Sequence, residues 1–333
     1  MVKCTKKASL AGMLDARPYL KELARGRHGA RDLSREQART LFQAVFAGEV
    51  PDVALGALLT ALRVKGECLA ELQGMMEALS PHVRPFEMPA RGAMPVLLPS
   101  YNGARKLPNL VPLLALLLAR EEVPVLIHGL PAEPSRVGTF EILERLGHAP
   151  APGIVQAEER LELRNLAVLD IHALAPDLAR VLDVRAATGV RNSAHTLAKL
   201  LLPGGVPANA ASRLVAVTHP DFHALMRAYF AESPGNAFLM RGVEGEAVVR
   251  LHAPQPIEET RAEGAMIEHL IDEADADYPL PSREAEPTAQ WTRDALEGRV
   301  PVPVALARQV AIIASHSRST GEERKPGLRL VKS

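Results

Sequence analysis

Apolar side chains recur at three- and four-residue intervals through the first part of the chain, the spacing of one helix face. The clearest run consists of Leu55, Leu58, Leu59 and Leu62. Ser34 can cap a helix over 35–47, and further helices are predicted over 52–65 and 68–79. The pattern therefore predicts a small helical domain that ends near a proline-rich segment, 81–95.

Beyond that segment the pattern changes to short apolar runs that alternate with helical stretches. The runs 95–99 and 123–127 flank a predicted helix over 110–120, and this order is typical of a parallel sheet. Further helices are predicted over 140–146, 176–184, 194–202, 222–230 and 304–315, and further strands over 166–170, 213–217, 236–241 and 248–251. From Glu258 the chain is acidic and is predicted to be partly helical.

These segments predict an α/β protein with a small N-terminal α-helical domain and a larger α/β domain. We expect residues 1–84 to form the helical domain with a basic extension, and part of 176–203 to pack with it. Residues 93–318 should form the α/β domain, and residues 319–333 a flexible charged tail.

Composition narrows the class of protein. The 333 residues are 47% hydrophobic and 23% charged, as in globular proteins rather than disordered or fibrous ones. The N-terminal lysines precede no apolar stretch of a secretory signal, and the longest apolar run, 107–119, is too short to span a membrane. Cys4 and Cys68 are too few for a disulfide framework or a cysteine-built zinc site. We therefore expect a cytoplasmic location and no membrane partner.

The formal net charge is zero, yet basic and acidic residues are distributed unevenly along the chain. Residues 1–39 contain ten basic and four acidic side chains, a net charge of +6, and residues 180–227 have a net charge of +4. The balancing acidic residues lie mostly within 258–297. Basic stretches of this kind indicate either phosphate contacts with nucleic acid or a solvated surface. Tyr19 and Tyr101 are the only aromatic residues near them, so phosphate contact should dominate over base stacking.

Two loops end predicted strands and carry polar residues. The loop 100–106, Ser-Tyr-Asn-Gly-Ala-Arg-Lys, precedes a helix, a position where backbone amides bind anions, although an ordinary polar loop fits equally well. His128 and Gly129 end the next strand, where a side chain can project into a ligand crevice. A structural histidine is the alternative there.

Two further segments carry charged or hydrogen-bonding residues. The segment 189–199 gathers the donors Arg191, Asn192, Ser193, His195 and Lys199, which favour an anion or phosphate contact over a solvated helix start. Glu244 and Glu246 offer the carboxylate oxygens that magnesium prefers, and glycine-flanked acids are equally typical of a turn.

Taken in order, these segments resemble anthranilate phosphoribosyltransferase and its relatives, the nucleoside phosphorylase/phosphoribosyltransferase class II fold. The resemblance spans residues 33–315. It implies a small α-helical domain and a larger α/β domain, an active site in the cleft between them, and a homodimer formed through the helical domains.

The motifs that bind phosphoribosyl pyrophosphate in that family are degraded here. Of the family's Gly-Thr-Gly-Gly-Asp loop only Gly103 remains, and the Asn-x-Ser-Thr motif keeps Asn109 but has apolar residues at both hydroxyl positions. The Lys-His-Gly-Asn-Arg motif keeps only its histidine and glycine. Phosphoribosyl transfer depends on electrostatic stabilisation of the diphosphate, so these losses argue against anthranilate phosphoribosyltransferase activity.

Two further positions keep part of the family's pattern. Arg191 matches the arginine that contacts the anthranilate carboxylate. The magnesium-binding Asp-Glu pair is matched by Glu244 and Gly245, with Glu246 beside them. No cofactor is expected, and magnesium would be needed only if the chain were an active transferase.

The strings Ser-Tyr-Asn-Gly-Ala-Arg-Lys and Val-Arg-Asn-Ser-Ala-His-Thr-Leu resemble a divergent branch of glycosyltransferase family 3. That resemblance implies sequence-independent binding of DNA or RNA. The candidate nucleic-acid contacts are Lys3, Lys6, Lys7, Arg25, Arg27, Arg31, Arg185, Arg191 and Lys199.

The alternative is a glycosyl or phosphoribosyl transferase that acts on a phosphorylated ribose or a related small molecule in the cleft. Its candidate ligand-binding residues are Asn102, Gly103, Arg105, Lys106, Asn109, His128, Gly129, Arg191, Asn192 and His195, with Glu244 and Glu246 as metal ligands. No residue is assigned a catalytic role.

Overall fold

A computed structural model describes residues 12–26, 28–90, 92–131, 135–274 and 277–322. Four predicted nucleic-acid contacts, Lys3, Lys6, Lys7 and Arg27, lie outside the described residues. The chain divides into two compact units. The helical unit comprises the described residues up to His82 together with Asp177–Leu197, and the α/β unit comprises Val83–Pro176 and the described residues from Ala198 onward.

The elements alternate between helices and strands after the first four helices. The helices are α1 (Arg17–Leu23), α2 (Arg35–Ala47), α3 (Asp52–Lys65), α4 (Leu69–Leu79), α5 (Val111–Arg120), α6 (Thr139–Arg145), α7 (Ile154–Arg164), α8 (Ile171–Leu174), α9 (Pro176–Thr188), α10 (Ser193–Leu200), α11 (Pro220–Glu232), α12 (Ala285–Leu296) and α13 (Val304–Glu322). The strands are β1 (Val96–Ser100), β2 (Val125–Gly129), β3 (Leu166–Asp170), β4 (Ser212–Val217), β5 (Ala237–Arg241), β6 (Gln255–Thr260) and β7 (Met266–Ile271).

The helical unit packs around buried leucine and phenylalanine side chains. The predicted Ser34 cap is confirmed, because its hydroxyl accepts from the backbone N–H of Gln37, whose side chain accepts in turn from the N–H of Ser34. Gly74 lets α4 approach α2 closely, since a Cβ there would lie 2.2 Å from the carbonyl oxygen of Arg35. Shape as well as hydrophobicity therefore determines this helix pair.

The α/β unit contains a seven-stranded sheet in the order β3-β2-β1-β4-β5-β6-β7. The strands from β3 through β5 are parallel, and β6 and β7 add in antiparallel orientation. The predicted α/β class and parallel sheet are confirmed. The carboxyl ends of β1 and β2 therefore lie side by side, which brings the loop after Ser100 next to His128 and Gly129.

The sequence pattern was wrong at two places, and it missed the hairpin β6-β7. Residues 248–251 form no strand, whereas the acidic region is partly helical as predicted, with α12 following the hairpin. The last helix continues to Glu322, past the point where we placed the start of the flexible tail. Among the described residues, no helix combines the length and apolar character that crossing a membrane requires.

Candidate functional site

The loop after β1 turns its backbone N–H groups toward a carboxylate. Gly103 has φ of +63°, a left-handed conformation that glycine adopts readily. The N–H groups of Asn102 and Gly103 both donate to Oε1 of Glu246, each at 2.8 Å. Two adjacent amides thus converge on one oxygen, as in the anion-binding loops of other proteins.

A second carboxylate binds the rest of the same loop. Oε2 of Glu244 accepts from the N–H of Arg105 at 2.6 Å and from that of Lys106 at 3.2 Å. Burial alone would raise the pKa of Glu244, but backbone N–H groups of Arg105, Lys106 and Leu107 hold it below the ordinary value. The backbone N–H groups of the loop are therefore bound by carboxylates of the chain itself, and its binding of an external anion stays a prediction.

Three of the four carboxylate oxygens of Glu244 and Glu246, the predicted magnesium ligands, accept from backbone N–H groups of the loop. Magnesium binding by this pair stays a prediction. In the described part of the chain, the only three acidic, histidine or cysteine side chains close enough to share an ion are Asp32, Cys68 and Glu71. Lys65 already donates to the first and third of these at 2.6 and 2.8 Å.

Lys199 stabilises the region around this loop and belongs to the same α/β unit. Its ammonium group donates to the carbonyl oxygens of Ala216 and Gly245, the second at 3.2 Å. Asn102 donates to the same Gly245 oxygen at 2.6 Å. Lys199, predicted as a nucleic-acid contact, is half-buried, and its charge stabilises the turn that carries the two glutamates.

His128 and Tyr101 form a buried pair instead of a ligand-facing surface. The phenol oxygen of Tyr101 lies 2.7 Å from Nδ1 of His128, and the two residues are 7% and 1% exposed. Burial lowers the pKa of His128 to about 3 and raises that of Tyr101 well above 10. A neutral imidazole therefore accepts from the neutral phenol. The structural alternative for His128 is the correct one, and Tyr101 is not available for base stacking.

Asn109 and Gly129 are also structural. Asn109 donates to Thr139 at 2.9 Å and accepts from the N–H of Val111, the first residue of α5, at 3.1 Å. A Cβ at Gly129 would lie 1.9 Å from the carbonyl oxygen of Ser100, so only glycine fits between β2 and β1 there. Both residues support the conformation of the chain next to the loop.

A cavity of about 400 Å³ lies beside the loop, entirely within the α/β unit. Its walls come from 104–110 and 242–253, with Leu280, and are mostly apolar. Glu246 is 3% exposed, and its Oε2 has no hydrogen-bond partner among the described residues. The sequence pattern missed this cavity because it interpreted 248–251 as a strand.

The predicted residues of the helical unit divide into internal and surface groups. Asn192 donates to the carbonyl of Val181 at 2.9 Å and accepts from the N–H of Ala194 at 3.0 Å, so it holds the start of α10. His195 is 8% exposed and lies 3.4 Å from the Asn192 side chain. Neither side chain presents an open ligand contact.

The basic candidates of the helical unit lie nearer the surface. Arg25 and Arg31 both pair with Glu22, at 2.8 and 3.6 Å. Arg185 lies on α9, and Arg191 precedes α10. Exposed pairs of this kind are weak and readily exchanged for other anions.

Comparison with known proteins places the chain in a family. Residues 17–82 match the helical bundle domain of the glycosyl transferase family. YbiB of Escherichia coli (strain K12), an uncharacterized protein, is 40% identical over 299 residues, covering 90% of this chain and 93% of YbiB. Anthranilate phosphoribosyltransferase of Sorangium cellulosum (strain So ce56) is 30% identical over 274 residues, covering 80% of this chain and 77% of that enzyme.

Comparison with solved structures finds the same kind of protein as comparison with sequences. The crystal structure of anthranilate phosphoribosyltransferase (TrpD) from Thermus thermophilus superposes with a TM-score of 0.70 at 26% identity, over 95% of this chain and 91% of that one. The phosphoribosyltransferase class II fold predicted from the sequence is thereby confirmed. Together with the helical bundle and the two relatives, this shows that the chain belongs to the anthranilate phosphoribosyltransferase-like family of glycosyltransferase family 3.

Proposed function

We propose that this protein binds nucleic acid without sequence preference and does not transfer phosphoribosyl groups. The observation that carries the proposal is the occupied anion loop. Glu246 and Glu244 bind the N–H groups of residues 102, 103, 105 and 106, so a diphosphate would have to displace two carboxylates of the same chain. Electrostatic stabilisation of a departing diphosphate is thus replaced by repulsion.

The phosphate contacts are assigned to the basic surface instead. Residues 1–39 have a net charge of +6, which includes Arg25 and Arg31, and Arg185 adds a further basic residue of the helical unit. Lys and Arg contacts to phosphates suffice for sequence-independent binding. A homodimer through the helical unit is part of the proposal.

A salt titration of binding to labelled single-stranded DNA, duplex DNA and RNA tests the proposal. We expect log affinity to fall linearly with log salt, with a slope of about −0.9 per phosphate contact on duplex DNA. The triple variant Lys6→Glu, Arg25→Glu, Arg27→Glu should lose most of the binding. Arg308→Glu, which reverses an exposed charge on α13 of the α/β unit, is the control. Absence of binding to all three nucleic acids would refute the proposal.

The cavity beside the loop favours a second function, that of a transferase acting on a phosphorylated ribose or a related ligand. Its volume of about 400 Å³ is that of a small-molecule site, and transferases of the family are 30% identical to this chain. Diphosphate release from phosphoribosyl pyrophosphate with magnesium and anthranilate measures this function directly. The leading proposal expects no release above a blank, and turnover that Lys106→Ala abolishes would establish the transferase instead.

A further inference from the structure

Three arginines converge on a second concave surface of the α/β unit, which shares no lining residue with the first cavity. The concavity measures about 350 Å³ and is lined by Leu116, Ala119, Arg120, Leu146, His148, Arg164, Arg293, Leu296 and Glu297. Arg120, Arg164 and Arg293 lie in the last turns of α5, α7 and α12. Three separate helices therefore bring positive charge to one pocket with an apolar floor.

The charges of these arginines are not balanced by acidic side chains. Over the part of the chain that the structure describes, no carboxylate oxygen lies within 4.0 Å of the three guanidinium groups. Arg120 donates to the carbonyl of Leu296, and Arg293 donates to Gln290 and to a backbone carbonyl. The single acid in the wall, Glu297, pairs with Arg299 instead. The pocket therefore has a net positive charge.

Interaction with helix dipoles explains only part of this arrangement. A basic side chain in a last turn stabilises a helix wherever it points. At the end of α7, however, the backbone N–H of Asn165 already donates to the carbonyl oxygen of Leu161, because Asn165 has a left-handed conformation. Burial lowers the pKa of His148, and the nearby positive charges of Arg164 and Arg160 lower it further.

We propose that this arginine pocket binds a backbone phosphate of the nucleic acid. The inference rests on the proposed function and assigns to the α/β unit a phosphate contact that the sequence did not identify. Guanidinium groups match phosphate oxygens in geometry and stay charged at every physiological pH. The apolar floor formed by Leu116, Ala119, Leu146 and Leu296 can accept the sugar next to that phosphate.

Salt titration with single-stranded DNA separates this inference from the proposed function. Arg164→Gln is the first variant, because Arg164 lies on the surface and its removal breaks no hydrogen bond with the described residues. The second variant combines Arg164→Gln with Arg120→Gln. Arg308→Gln, which removes an exposed charge from α13 outside the pocket, is the matched control.

We expect the removal of each pocket arginine that contacts phosphate to reduce the magnitude of the slope of log affinity against log salt by about 0.7. The control substitution should leave this slope unchanged. Wild-type binding with an unaltered slope in both pocket variants would overturn this inference alone and reduce the arginines to helix-end charges. Absence of wild-type binding would overturn the proposed function and this inference together. Inorganic pyrophosphate, titrated in parallel, would then identify a small phosphorylated ligand if it bound and the Arg164→Gln variant weakened it at least fivefold.

Discussion

The carboxylate of Glu246 accepts a hydrogen bond from the backbone N–H of Gly103 at 2.8 Å, across 143 positions of the chain. The anion that this amide binds is a side chain of the protein itself. The buried N–H groups of the loop are therefore satisfied without a ligand.

Removal of this carboxylate should destabilise the protein and expose the loop to external anions. Glu246→Ala leaves the N–H groups of Asn102 and Gly103 without their acceptor, at a cost of about 1–3 kcal/mol. We expect added phosphate to raise the melting temperature of this variant more than that of the wild type. Urea and thermal unfolding with and without phosphate measure both effects, with Glu268→Ala on exposed β7 as the control. A variant as stable as the wild type would contradict the structural role of Glu246.

The buried imidazole of His128 should make the protein less stable as the pH falls. Its pKa is about 3 in the folded protein against an ordinary 6.5, so below pH 6.5 the unfolded chain binds the proton and the folded chain does not. The free energy of unfolding should therefore fall between pH 6.5 and pH 3, by up to about 1.4 kcal/mol per pH unit. The free energy of unfolding should fall less steeply with decreasing pH in the His128→Gln variant. In His28→Gln, an exposed control, it should fall as steeply as in the wild type. Equal slopes in all three proteins would show that His128 does not titrate in this way.

Glu259 should contribute a second pH dependence at more acidic pH. Burial would raise its pKa, but donors from His316, Arg261 and His269 at 2.9, 2.6 and 2.8 Å lower it to about 2. Because the folded-state pKa is depressed, this stabilisation is complete above about pH 4.5 and is lost as the pH falls through about 2. The Glu259→Gln variant should be less stable at pH 7, and its free energy of unfolding should change less with pH in this window. Urea unfolding at a series of pH values measures both effects. Glu268→Gln, on the same hairpin, should behave as the wild type does.

Gly74 and Gly56 offer a matched pair of substitutions in the helical unit. A Cβ at position 74 would lie 2.2 Å from the carbonyl oxygen of Arg35, whereas one at position 56 would meet nothing within 4 Å. Gly74→Ala should therefore cost about 1–3 kcal/mol by forcing α4 away from α2. Gly56→Ala should gain up to about 1 kcal/mol, because alanine favours a helix interior. Denaturant unfolding of the two variants measures both changes, and similar effects would contradict the close packing of the two helices.

Local pattern was sufficient for most of the helices and the parallel strands. The predicted helices over 35–47 and 52–65 have the bounds observed for α2 and α3, and the strand 166–170 has those of β3. The strand, helix, strand order from residue 95 onward indicated the parallel sheet. Periodicity and capping are properties of neighbouring residues, so the sequence reports them directly.

The hairpin β6-β7 could not be predicted in this way. Its first strand, Gln-Pro-Ile-Glu-Glu-Thr, contains two adjacent glutamates that a local pattern places on the surface. In the fold both are buried, because Arg227 on α11 pairs with Glu258 and His316 on α13 pairs with Glu259. Those partners lie far from the strand in the chain, and only tertiary packing brings them to it.

In the candidate site, too, some features followed from the sequence and others depended on tertiary packing. By itself the sequence determined the fold family, the uneven charge, the position of a polar loop after β1 and the loss of the motifs that hold a diphosphate. The tertiary structure decided which groups occupy that loop, that Lys199 and His128 bond to groups of the protein itself, and that three helix ends form an arginine pocket. The reason is that hydrogen bonds between residues far apart in the chain leave no periodic signal in the sequence, whereas their geometry determines which charges stay free to bind a ligand.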